Sequence, residues 1–142
     1  MLNPSTADET TLDATIRRCV GFAKAWGFGG IDVVNLFAWR ATDPGLLRAA
    51  KDPVGPANDH AIAAALRDAA LIVAAWGGNP IVSSRARDVR RLAARLHKRL
   101  FCLGTTKDGE PRHPLYVRGS IGTEGLPARR RRKGVIRGRA GR

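Results

Sequence analysis

Four short stretches of this chain bring polar side chains to the ends of apolar runs. They are Asn3-Pro4-Ser5-Thr6, Asn35 within Ile31-Asp32-Val33-Val34-Asn35-Leu36-Phe37, Trp76-Gly77 after Leu71–Ala75, and His113-Pro114. None of them supplies paired carboxylates. Asn35 interrupts an apolar run, where an unpartnered amide costs about 1–3 kcal/mol. A side-chain amide offers both donors and an acceptor, which suits the edge of a nucleobase. The same amide can equally tie two loops together. His113 precedes a proline and is therefore held extended. From there it can donate a hydrogen bond to a developing anion, or simply pack.

Other chemistries are excluded by pattern. Ser5 lacks the Gly-x-Ser-x-Gly elbow of a hydrolase nucleophile. No Walker loop occurs, and Gly27–Gly30 follows a predicted helix where a dinucleotide fingerprint would follow a strand. His60 and His97 fall on predicted helices without ligand spacing, and Cys19 and Cys102 are far apart, so neither metal nor cofactor is expected. Asp8 and Asp13 are read as helix caps or as a general base near the Asn3 loop.

The elements that must position these groups alternate. Ile16, Cys19, Val20, Ala23 and Trp26 recur at three- and four-residue steps, which predicts a helix over 13–26 stopped by Gly27–Gly30. Ile31–Phe37 is a β-branched run that predicts a buried strand. Residues 41–56 read as loop, and Asn58 or Asp59 can cap a helix reaching about Ala70. Leu71–Trp76 predicts a strand. A helix follows over 84–98, burying Val89, Leu92, Ala93 and Leu96 and exposing Arg85, Arg87, Arg90, Arg91, Arg95 and Lys98. Leu100–Leu103 predicts the next strand, before a turn at Asp108-Gly109.

Strands alternating with helices imply crossovers, a mostly parallel sheet and helices on both faces. In such a sheet ligands bind beyond the carboxyl ends of the strands, which is where the four polar stretches fall. Only Met1 and Leu2 precede Asn3-Pro4-Ser5, so the first strand is expected to be truncated, since a strand usually takes about five or six residues.

The chain has 142 residues, 44% of them hydrophobic, and a formal net charge of +13. That suits one domain with its own core and excludes disorder throughout. No apolar run reaches the roughly 18–20 residues of a membrane span, and the start is unlike a secretory signal, so a cytoplasmic protein is expected. The charge is uneven. Residues 118–142 carry nine Lys and Arg against one Glu, or +8, and residues 1–117 carry sixteen against eleven, or +5. The run Arg129–Lys133 sits among glycines, so 118–142 is read as a disordered basic tail on a domain spanning 1–117. Such a tail attracts phosphate backbones or is merely solvated.

Several of these stretches resemble a bacterial domain-of-unknown-function family, DUF1643. They are Asn3–Asp8, Thr15–Cys19, Asn35–Pro44, Asp52–Asp59, Ala75–Gly77, Thr106–Gly109 and His113–Tyr116. The layout of Asn-Pro, Asn, Trp-Gly and His-Pro after successive strands is also similar to the uracil-DNA glycosylase superfamily. That resemblance implies a three-layer α/β/α sandwich around a four-stranded, mostly parallel sheet of order 2-1-3-4. It also implies that Asn3 positions a water, Asn35 reads a flipped pyrimidine and His113 stabilises the base oxygen without a metal. The chain has His-Pro-Leu where glycosylases usually carry His-Pro-Ser.

The expected activity is glycosylase-like, on a nucleobase in DNA or in a nucleoside. Asn3 and His113 would be catalytic, and Asn35, Ser5, Phe37 and Trp76 would bind substrate. Phe37, Trp39 or Tyr116 would supply a stacking face. Arg87, Arg91 and Arg95 would meet nucleic-acid phosphates. The alternatives are a non-catalytic nucleic-acid or nucleotide binding module, or a truncated, non-functional copy.

Overall fold

A computed structural model of the protein describes residues 1–2, 14–39 and 49–127. Three helices, α1 (Ala14–Ala25), α2 (Asn58–Asp68) and α3 (Ser83–Arg95), accompany three short strands, β1 (Val73–Ala74), β2 (Phe101–Cys102) and β3 (Glu124–Gly125). The fold is mixed α/β. None of the described helices is long and apolar enough to cross a membrane.

Local chemistry sets the helix ends. Gly27 takes a φ of +79°, and the N–H groups of Gly27 and Phe28 reach back to the carbonyls of Lys24 and Ala23, which closes α1 with a Schellman motif. The same motif ends α3 two residues after Arg95. His97 adopts a φ of 53°, and the amides of His97 and Lys98 bond to the carbonyls of Ala94 and Ala93. The predicted helix runs on to Lys98, but the left-handed His97 stops it. At its start, the Asn79 side chain accepts from Ile81 N at 3.1 Å, capping a 3-10 turn (Pro80–Val82) that leads into α3.

The sheet has the order β1-β2-β3 among the described residues. β1 and β2 are parallel and joined by α3, in register Val73 to Phe101 and Ala74 to Cys102, and β3 is antiparallel to β2. Consecutive residues of a strand point to opposite faces. Accordingly Ala74 packs with Ile62, Leu66, Val89 and Ala93 of α2 and α3, while Val73 packs with Phe22 of α1, Leu103 and Val117. Helices therefore cover both faces of the sheet.

Among the described residues the sheet is three-stranded and mixed, and the expected four-stranded, mostly parallel sheet of order 2-1-3-4 is not shown. Residues 31–37 form no strand. Leu36 N and Phe37 N donate to the carbonyls of Met1 and Leu2, and the Met1 amine donates to Val34 O at 2.9 Å. Upstream of that contact, Ile31 and Val33 border a cavity instead of a neighbouring strand, and each is 36% exposed. The cavity measures about 590 Å³ and separates 31–36 from 71–76, with apolar faces of α1 and α2 along it. A β-branched run without a ladder partner stays extended but irregular.

The sheet also takes in residues past 117. Leu126 N donates to Leu100 O, and Arg90 Nη1 donates to Pro127 O at 3.0 Å. Residues 118–127 thus carry β3, and the basic run at 129–133 lies outside the described residues.

Candidate functional site

The carboxyl end of β1 is built from two loops stitched together. Gly77 N donates to Pro111 O at 3.0 Å, and Gly77 holds a φ of +80° that only glycine adopts readily. A Cβ on Gly77 would meet His113 Cβ at 3.6 Å, so the histidine lies directly beside this turn. The loop carrying His113 is a short hairpin. Thr105 bridges Pro111, Thr106 N donates to Glu110 O, and Gly109 N closes the Asp108-Gly109 turn onto Thr106 O.

His113 caps the 3-10 turn Pro114–Tyr116, its Nδ1 accepting from Leu115 N at 3.4 Å. A neutral imidazole that accepts at Nδ1 carries its proton on Nε2 and is a donor there. The Tyr116 ring lies 5.7 Å from the imidazole, tilted by 50°.

Opposite these loops, residues 35 and 36 are held by their carbonyls. Asn58 Nδ2 donates to Asn35 O at 3.2 Å and to Leu36 O at 2.9 Å. Arg85 Nε adds a bond to Leu36 O at 2.7 Å, and its Nη2 pairs with Asp59 at 2.6 Å. Among the described residues the side-chain amide of Asn35 has no hydrogen-bond partner, and it borders the same cavity as Trp76 and Pro114. Such an arrangement can accept a ligand edge.

Under the site, the indole of Trp76 is committed inward. Its Nε1 donates to Glu110 Oε2 at 3.0 Å, and Arg90 lies 5.6 Å over the ring and 3.7 Å from the same carboxylate. Glu110 is only 3% exposed. Burial also lowers the Met1 ammonium from the usual 8.0 to about 6, a pull that the charge of nearby Cys19 opposes.

A family model described as "Protein of unknown function (DUF1643)" matches residues 1–115. The chain belongs to the DUF1643 family. Neither a curated protein nor a solved structure gives a match. The DUF1643 match takes in α1, α2, α3, β1, β2 and His113, and stops short of β3.

The positions picked from the DUF1643 sequence fall into four groups. Asn35, Trp76 and Pro114 line the main cavity, and His113 stands next to Pro114 beside the Gly77 turn. Phe37 is buried in the core with Leu36 and Val82, while Trp39 and Tyr116 are exposed. Asn3, Ser5, Asp8 and Asp13 lie outside the described residues. Arg87, Arg91 and Arg95 form an exposed row at four-residue steps, with Arg91 3.5 Å from Asp88. Arg85 and Arg90, expected on that exposed face, turn inward, Arg85 to the carbonyl of Leu36 and Arg90 to the carboxylate of Glu110. Lys98 bonds to Arg67 O at 2.6 Å. No group of three or more His, Cys, Asp or Glu able to hold a metal occurs among the described residues.

Sequence reasoning missed Asn58, Arg85 and Glu110. Asn58 or Asp59 was expected to cap α2, yet Ala57 is the N-cap without a side-chain bond, and Asn58 instead reaches residues 22 and 23 positions away. Its one legible signal was being an Asn at a helix start, and capping uses the same atoms.

Proposed function

We propose that this DUF1643 chain recognises a nucleobase in the crevice at the carboxyl end of β1, and that its chemistry is of the glycosylase class. The observation supporting this reading is the amide of Asn35, which has no hydrogen-bond partner among the described residues and borders one cavity with Trp76 and Pro114, the residue after His113. The amide would pair with the base edge. His113 Nε2–H would donate to a base carbonyl oxygen as charge gathers there during loss of the sugar, an effect of about 3–4 kcal/mol when well placed. Asn3, matched by resemblance to a water-positioning residue, and Ser5 would complete the site. The row of Arg87, Arg91 and Arg95 would contact phosphates.

A second reading, binding without turnover, is favoured by one fact. The buried carboxylate nearest the site, Glu110, is bound to Trp76 and faces Arg90. It is engaged structurally and is poorly placed to activate water.

Calorimetric titration with nucleobases and nucleosides tests recognition, and base release from uracil- and mismatch-containing oligonucleotides tests turnover. Binding that falls at least tenfold in Asn35→Ala, with turnover lost in His113→Ala, is expected for the enzyme. Binding without release in the wild-type chain selects the second reading. No binding of any base or nucleoside at millimolar concentration overturns both.

A further inference from the structure

Next to His113 lies a second cleft, which neither Asn35 nor the main cavity explains. It measures about 470 Å³ and runs between residues 103–105 and 116–121, with Arg112 and Arg118 on its border. Its lining contains no acidic side chain. The most exposed large hydrophobic side chain of the described chain, Tyr116 at 78%, stands at its mouth, with Leu115 beside it at 45%. An aromatic ring left in water this fully has no packing role.

The neighbourhood is organised around that ring. Arg112 is anchored through Nε to Thr105 O at 3.0 Å, and its N to Gly104 O at 2.9 Å, so its remaining guanidinium donors are directed from a fixed point. Arg18 bonds to Val117 O and its guanidinium lies close to Gly119, adding a third cation at the back of the same loop. The rings of Tyr116 and His113, 5.7 Å apart, form a ledge from this cleft to the base crevice. Stacking rings flanked by arginines are the elements with which proteins hold unpaired nucleic acid.

We infer that this cleft binds the neighbouring nucleotide of an unpaired strand, its base stacked on Tyr116 and its phosphate held by Arg112 and Arg118. The inference rests on the nucleobase reading and extends it. It names a single-stranded nucleic acid, in preference to a free base or a duplex, as the substrate class. One nucleotide then sits at Asn35 and His113, and the next on Tyr116.

The test is fluorescence anisotropy of the full chain with a fluorescein-labelled ten-residue oligothymidylate, its duplex with oligoadenylate, and unlabelled thymidine as competitor. Tyr116→Ala should weaken single-strand binding about ten- to hundredfold, the range of base–aromatic stacking, and Tyr116→Phe should retain it. The pair Arg112→Gln and Arg118→Gln should lower the slope of log affinity against log salt by roughly 1.4. Both side chains are exposed, and unchanged circular dichroism will confirm that the variants fold. Attraction to the run Arg129–Lys133 is common to every variant and cancels in the comparison. Equal affinity of Tyr116→Ala and Tyr116→Phe, or a duplex bound as tightly as the single strand, overturns the inference. Thymidine binding that depends on Asn35 while Tyr116→Ala leaves the strand unaffected overturns it and spares the base-recognition reading. Loss of both thymidine and strand binding in the wild-type chain overturns the two together.

Discussion

Trp76 Nε1 donates to Glu110 Oε2 at 3.0 Å, joining the segment just after β1 to the hairpin that leads to His113. Both side chains are buried, at 5% and 3% exposure, and this bond together with Gly77 N to Pro111 O sets how the two loops of the candidate site approach each other. Arg90 of α3, lying over the indole and 3.7 Å from the carboxylate, makes the pair a three-element junction.

Glu110→Ala will therefore cost more than a surface change. It strands the indole N–H in the interior, a penalty of about 1–3 kcal/mol, and removes the carboxylate that faces Arg90. A loss of about 2–3 kcal/mol in urea unfolding is expected, with Glu110→Gln retaining part of it. A change below 0.5 kcal/mol in Glu110→Ala would show that the junction carries no load.

Arg85 holds the strip that presents Asn35. Its Nε bonds to Leu36 O at 2.7 Å and its Nη2 pairs with Asp59 at 2.6 Å, from a position only 5% exposed. Lysine has one ammonium and cannot span both partners as a planar guanidinium does. Arg85→Ala should lose about 2–3 kcal/mol, and Arg85→Lys should recover less than half of that. The unfolding midpoints of the two variants decide it. Full recovery by lysine would mean that charge alone matters.

Stability should rise with pH between about 6 and 8. The Met1 ammonium is lowered from 8.0 to about 6 by burial, so in that window the unfolded chain keeps a proton that the folded chain has released. The contribution is complete above pH 8, is lost as pH falls toward 6, and is constant below that. Two pH units correspond to at most about 2–3 kcal/mol. Denaturation of the free-amine and Nα-acetylated chains across pH 5.5–8.5 isolates this term from the histidines. Parallel curves for the two forms would remove the buried amine from the account.

The two thiols should differ in reactivity. Cys102 is fully buried in β2, burial raises its pKa, and the carboxylate of Glu124, to which its Sγ donates at 3.8 Å, adds to the rise. Cys19 is half-buried on the cavity. A thiol reagent in native buffer should modify Cys19 at least tenfold faster, and Cys102 only as the chain opens. Equal rates would place β2 in an open state.

Helix positions were legible from the chain because each depends on its neighbours at three- and four-residue spacing. Ile62 and Leu66 of α2 and Val89 and Ala93 of α3 are buried as their period requires. The boundaries were less so. Phe22, the most buried apolar side chain of α1, was left out of the predicted stripe although it lies three residues from Cys19 and four from Trp26, and the end of α3 is set by the backbone of His97. The candidate residues Asn35, Trp76 and His113 were also readable, because polar groups closing apolar runs stand out by type alone.

What the sequence by itself determined, then, is the mixed α/β character and the helices. Tertiary structure alone decided the rest. Whether 31–37 becomes a strand depends on a hydrogen-bonding neighbour that local pattern does not contain, and a cavity stands beside it instead. Which arginines of α3 meet solvent depends on oxygens far along the chain, Leu36 O for Arg85 and the Glu110 carboxylate for Arg90. β3 pairs with β2 within a stretch that composition reads as a basic tail. In each case the deciding partner lies more than ten residues away, and only folding brings the two within bonding distance.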